Sequence, residues 1–261
     1  MNAYSWIQYF QKHQQHHAAE AYAWHLPPPD PMQPEIAALA GSLAIFQLGE
    51  SGGGSRLLRY SAAHAFRDPG LAGYVEAVKW FVEEEHAHAG LLRRMVLRLG
   101  GTLLEKQWSN SVFRWLRGAL GLEFNIQILL SAELIARGYY GLLSRQAPDP
   151  VIREVCRRIT RDEAGHIAFH ADFFRSRLSG GAGWKSLLWR FQFRILFGLA
   201  CAVVWWDHGR ALRGCGIGRK RFLGKTRRAR QSFLARVTHD PLRGKRNKAI
   251  THQTVAAGPG A

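Results

Sequence analysis

Two short segments of this chain repeat one pattern: Glu84-Glu85-His86-Ala87-His88 and Asp162-Glu163-Ala164-Gly165-His166. Each reads acid, Glu, two spacers, His. Residues three apart share a helix face, so each segment aims one carboxylate and one imidazole the same way. Two such pairs, with a lone glutamate from each of two further helices, make the donor set of a two-metal carboxylate site inside a helical bundle. Glu50 and Glu133 are placed to be the lone glutamates. Oxygen-rich donors with two imidazoles suit iron or manganese better than zinc or calcium.

The elements that must position these groups are helices. Apolar residues recur at helical spacing over long stretches, and no alternating β-branched runs between turns argue for sheet. The spacing predicts helices over about 34–66, 71–99, 122–145, 151–178 and 184–212, separated at Asp68-Pro69-Gly70, Gly100-Gly101, Ala147-Pro148-Asp149-Pro150 and Gly180-Gly181. In the second of these, Leu71, Val75, Val78 and Val82 lead to Ala89, Leu92, Val96 and Leu99, and the gap in the stripe is filled by Glu85. Glu163, His166 and His170 interrupt the stripe of Ile152, Val155, Ile159 and Phe173 in the same way, and Glu133 lies in the most apolar stretch, 126–136. Burying an unpaired carboxylate costs several kcal/mol, against a total stability of about 5–15 kcal/mol. No Lys or Arg stands beside these glutamates on their stripes, so a pair of divalent cations is the expected neutraliser.

Register agrees. Glu50 and Glu85 lie 17 and 18 residues from Arg67, and Glu133 and Glu163 each lie 15 from Pro148. In antiparallel hairpins each pair meets at one height. Glu84 and Asp162, one residue before the motif glutamates, are expected to accept the second ring N–H of the ligating imidazoles. His170 and Tyr140 are expected to lie just behind the ligands. Gly52-Gly53-Gly54 directly after Glu50 either opens the first helix locally beside the site or breaks it.

Composition narrows the class. Three scattered cysteines without a Cys-x-x-Cys exclude a disulfide framework, a sulfur-ligated metal and a rubredoxin-like electron-transfer module. Electrons for redox chemistry would come from an external donor. The start of the chain lacks a basic segment followed by an apolar run, and a reducing cytoplasm is expected. Residues 219–248 hold twelve Lys/Arg against one acid, +11 of the net +17. The expected domains are a leader with a Pro-rich linker over 1–33, a helical bundle over 34–180, an added helix over 181–215, and a basic, partly disordered tail over 216–261. His13, His16 and His17 in the leader are expected on a solvated polar face. The stretch 195–206, twelve apolar residues between Arg194 and Asp207, is short for a membrane span of about twenty. It is expected as a core helix, with interfacial membrane contact the alternative.

Residues Trp80–Leu92 resemble the second-helix signature of acyl-carrier-protein desaturases and their relatives, and Ile159–His166 resemble their fourth-helix signature. The chain is thereby similar, over about 40–175, to the ferritin-like di-iron carboxylate superfamily. The resemblance implies an all-α, ferritin-like four-helix bundle in which Glu50, Glu85, His88, Glu133, Glu163 and His166 bind two iron ions, with manganese or a mixed iron–manganese pair as the alternative. It implies dioxygen-dependent oxidation, oxygenation or desaturation of an apolar or acyl substrate, which an acidic carrier protein could present. A ferritin-type ferroxidase and a non-catalytic binding protein with a vestigial site are the competing functions. The basic tail is expected to contact anionic lipid or nucleic acid, and a homodimer fits the family.

Overall fold

The computed structural model describes residues 1–19, 21–52, 54–71, 73–117, 121–178 and 183–238. Among them all regular structure is helical: α1 Ala3–Ala19, α2 Pro34–Glu50, α3 Ser55–Ala65, α4 Tyr74–Arg98, α5 Trp108–Leu116, α6 Leu122–Gln146, α7 Pro150–Leu178, α8 Gly183–Gly214 and α9 Arg219–Thr238, with a 3-10 turn at Pro69–Leu71. Starts are set locally. Pro34 occupies the first turn of α2, where no backbone donor is needed. The Asp149 carboxylate accepts from the Ile152 N–H at 2.9 Å and caps α7. Gly73, with φ of 75°, feeds the chain into α4 through a left-handed turn.

Two helix pairs dominate the packing, α2 with α4 and α6 with α7, and α4 against α7 joins them. Their facing stripes form one core, from Ile36, Leu39 and Leu43 through Val78, Phe81 and Leu92 to Ile126, Leu130, Ile152 and Ile159. Each fully buried side chain of this size stabilises the fold by about 1.5–3 kcal/mol.

The first predicted helix is two. It ends at Glu50 and resumes at Ser55, and α4 passes so close to the break that position 54 has no room for a side chain. A Cβ on Gly54 would fall 2.1 Å from Val82 Cγ2. The leader is a packed element rather than a loose extension. Trp6 donates its indole N–H to Asp172 at 3.0 Å, and Phe10 is buried against Phe81 and Phe169. Gly165 makes room for this crossing, since a Cβ there would lie 2.1 Å from the Tyr9 hydroxyl. Arg98 fastens the following linker, donating to the carbonyls of Trp24, Leu26 and Pro27 and to Asp149.

Two further elements were not expected. The connection after α4 contains the short helix α5. Most of the basic segment through 238 is α9, which packs on α6 and α7 and buries Phe222, Thr226 and Phe233. The expected turn at Gly180-Gly181 and the chain beyond Thr238, with the end expected to be disordered, lie outside the described residues.

α8 departs from the expected core helix. By length and composition Ser186–Gly214 suffices to cross a membrane, yet only 17% of its most apolar window is buried. One face (Phe193, Phe197, Cys201, His208, Leu212) packs inward, toward α2 and α6. The opposite face is exposed and equally apolar.

Candidate metal centre

α4 and α7 bring their motif residues to one point. Ligand atoms of Glu85, His88, Glu163 and His166 all lie within 4.8 Å of one another. Both imidazoles turn Nδ1 inward. Nδ1 of His166 is 3.0 Å from Glu85 Oε1 and 3.7 Å from Glu163 Oε2, and Nδ1 of His88 is 4.0 Å from both Glu85 Oε1 and Glu163 Oε1. Both turn Nε2 outward to an acid, and the pairing is crosswise. Nε2 of His166 meets Glu84 of α4 at 3.1 Å, and Nε2 of His88 meets Asp162 of α7 at 3.2 Å. Each motif therefore orients the other's imidazole, which couples α4 to α7 through the site.

The lone glutamates occupy the flanks. Glu50, half-buried at the end of α2, lies beside Glu85. Glu133 on α6 accepts from Nε2 of His170 at 2.9 Å. Glu50, Glu85, Glu133 and Glu163 all line one cavity of about 470 Å³. Neither Glu50 nor Glu133 belongs to the tight four-residue cluster. His170 thus stands directly behind the Glu133 carboxylate. The Tyr140 hydroxyl is buried without a hydrogen-bond partner. Its pKa is pushed well up by burial and by Glu50 and Glu163.

Charge is concentrated here. Burial works to raise the Glu85 carboxyl, but His166, Glu50 and His88 outweigh it and hold the group at about 2. Glu163 is pushed up to about 7, by burial first and then by Glu85 and Glu133, against the pull of His166. Glu50 is raised well above the usual range by burial and by Glu85. Burial would depress His166, yet Glu163, Glu84 and Glu85 raise it well above an ordinary imidazole. Asp162 does the same to His88 more weakly. Protons and imidazolium charge thus balance much of the carboxylate charge in the cluster.

The residues could hold a metal ion, and one observation in particular fits this. Glu163 Oε2, Glu133 Oε2 and Nδ1 of His170 are buried without a hydrogen-bond partner, while Glu85 Oε1 and Nδ1 of His166, equally buried, face each other at 3.0 Å. Buried polar atoms are normally satisfied, and these five are donor atoms of the kind a divalent cation takes.

Sequence reasoning missed three features. His13, expected in solvent, contacts Glu84 at 3.1 Å and Asp162 at 3.8 Å. It thereby bridges the two acids that orient the imidazoles. Nothing local in the sequence could place it there, 71 residues from Glu84. The side chains of His16 and His17 lie outside the described ones. Arg158 is buried and donates to both oxygens of Asp162 at 3.0 and 2.9 Å. The i,i+4 spacing was a usable signal. Arg117 lies between the carboxylates and a group of arginines, its own pKa lowered by burial.

Comparison with protein-family models, with curated proteins and with solved structures finds no match to this chain. The chemistry of the site must therefore be argued from its own residues.

Proposed function

We propose that this chain is a ferritin-like four-helix di-iron carboxylate protein, an oxidoreductase that uses dioxygen on an apolar or acyl substrate. One observation carries the proposal: a buried Glu/His cluster with crosswise backing acids opens into a largely apolar cavity of small-molecule size. Glu85, His88, Glu163 and His166 would hold the metal pair, with Glu50 and Glu133 completing the set. A bound iron pair supplies redox electrons and a place for dioxygen.

The protein's own residues do the rest. Glu84 and Asp162 fix Nε2–H on the imidazoles, which leaves Nδ1 free of a proton for a metal. Arg158 holds Asp162 in position while it does so, donating to both of its oxygens. Phe81, Val82, Leu129 and Ala136 face the cavity around the carboxylates and exclude water, which strengthens every charge interaction inside. The cavity favours substrate oxidation over ferritin-type iron oxidation, because an iron-mineralising site needs a hydrophilic path for cations, and here the lining is dominated by aliphatic and aromatic side chains.

The test is metal analysis of protein purified without oxygen and loaded with Fe(II), followed by Mössbauer spectroscopy before and after oxygen. Two irons per chain that oxidise together support the proposal. Failure to bind stoichiometric iron, or manganese in its place, refutes it.

A further inference from the structure

The cavity is lined mainly by apolar side chains drawn from several helices. Its outer wall is built by α5 and α8, through Phe113 and Leu116 of the first and Leu196, Ala200, Val203 and Val204 of the second. On α8 the side facing away from the body repeats apolar residues at helical spacing: Leu188, Phe191, Ile195, Leu199, Ala202 and Trp206. Leu199 is 62% exposed and Trp206 82%. α5 continues the patch with Trp108, Val112 and Trp115, the last 70% exposed. The two helices are tied, since Asp207 accepts from the Trp108 indole N–H at 3.2 Å and from Gln107 at 3.0 Å. A contiguous exposed patch of this kind on a single chain marks an interaction surface.

Charge identifies what covers it. Beside the cavity lies a second hollow of about 200 Å³, lined by Gly52, Ser55, Arg56, Arg59, Arg114 and Arg117. Four arginines line the hollow, and among the described residues no acid does. Gly52 and Arg117 line both spaces. An apolar face with tryptophans at its margin, next to an arginine pocket, matches a lipid leaflet: acyl chains against the face and anionic head groups in the pocket.

We propose that the outward face of α5 and α8 docks on an anionic bilayer, that the arginine pocket takes an anionic lipid head group, and that the cavity receives the attached chain directly from the leaflet. The face lies in the interface plane rather than crossing the membrane, because α8 packs along α2 and α6. The identity of the chain as the substrate rests on the di-iron proposal; the docking itself does not.

Binding of the full chain to sedimented vesicles tests this, using phosphatidylcholine alone and phosphatidylcholine with phosphatidylglycerol. Wild-type protein should prefer the anionic vesicles. I195E/L199E, at two exposed positions, should bind them at least about tenfold more weakly with unchanged circular dichroism. R59E/R114E should erase the preference for phosphatidylglycerol. W115F/W206F should lose most of the tryptophan quenching by brominated lipid. Unchanged binding of I195E/L199E would overturn the inference and assign membrane affinity to the basic C-terminal segment. Conversion of an oligomer to a monomer by I195E/L199E, with vesicle binding intact, would also overturn it and make the face a contact between copies. Face-dependent binding by a protein that takes up no iron would leave the docking standing and remove the di-iron proposal alone.

Discussion

Replacing Glu163 by glutamine should change the protein's stability in opposite directions with and without metal. In the metal-free protein the Glu163 carboxyl is raised to about 7 from an ordinary 4.5, by burial first and then by Glu85 and Glu133. A raised carboxyl weakens the fold as it ionises. The penalty is absent below the unfolded pKa, grows as pH rises from about 4.5 to about 7, and is complete above. Each unit is worth about 1.4 kcal/mol, so at pH 8 the ionised group costs about 3 kcal/mol. Glutamine removes that charge but also one of three carboxylates around His166, so the expected net gain for metal-free E163Q is about 1–2 kcal/mol. With metal the sign reverses. A ligand present at 100 to 1,000 times its Kd stabilises the native state by about 3–4 kcal/mol, and a variant lacking one donor forfeits most of this. The assay is urea unfolding at pH 8, once in chelator and once with anaerobic Fe(II), beside a direct iron count. Metal-free E163Q less stable than wild type by 1 kcal/mol or more would show that the cluster is a structural ion network. Iron binding equal to wild type would refute Glu163 as a ligand.

Glu84→Ala and Asp162→Asn should each lower metal affinity by about 10–100-fold while leaving all six proposed ligands in place, as read by competition with a chelator of known affinity. Gly54→Ala should destabilise the protein by about 1–3 kcal/mol through collision with Val82, and Val82→Ala in the same chain should restore much of the loss in thermal unfolding. His208, buried and in contact with Ser42 at 2.8 Å, is held by burial at about 4. Its neutral form is the native one, so its contribution is intact above pH 6.5 and is lost as pH falls toward 4, by about 2 kcal/mol at pH 5. A His208→Asn variant should show a correspondingly smaller fall in urea midpoint between pH 7.5 and pH 5; an equal fall would assign the acid sensitivity elsewhere.

The boundaries of α4, α6, α7 and α8 were legible within about three residues, because apolar residues recur at helical spacing along their whole length and Gly or Pro lies close to the ends. The same periodicity exposed Glu85, Glu133 and Glu163 as interruptions of core-facing stripes. Glu84 and Asp162 were legible as backing acids, but not their crosswise pairing. Exchange between α4 and α7 depends on how the two helices are rotated toward each other. The break after Glu50 was visible as a glycine run, though the close approach of Val82 to Gly54 was not. Harder still were contacts made across long sequence separations. His13 reaches Glu84 only because α1 crosses α7 at Gly165, and the arginine pocket exists only because α3 and α5 converge.

What the sequence determined by itself is local: which residues share a helix face, and that carboxylates on those faces would be buried among apolar neighbours. Helical geometry repeats within a few residues and needs no partner. What only the tertiary structure decided is which faces find a partner. The inward stripe of α8 is covered by α2 and α6, while its equally apolar outward stripe is left bare. Composition cannot tell the two apart, since burial is a property of neighbouring helices and not of the residues themselves.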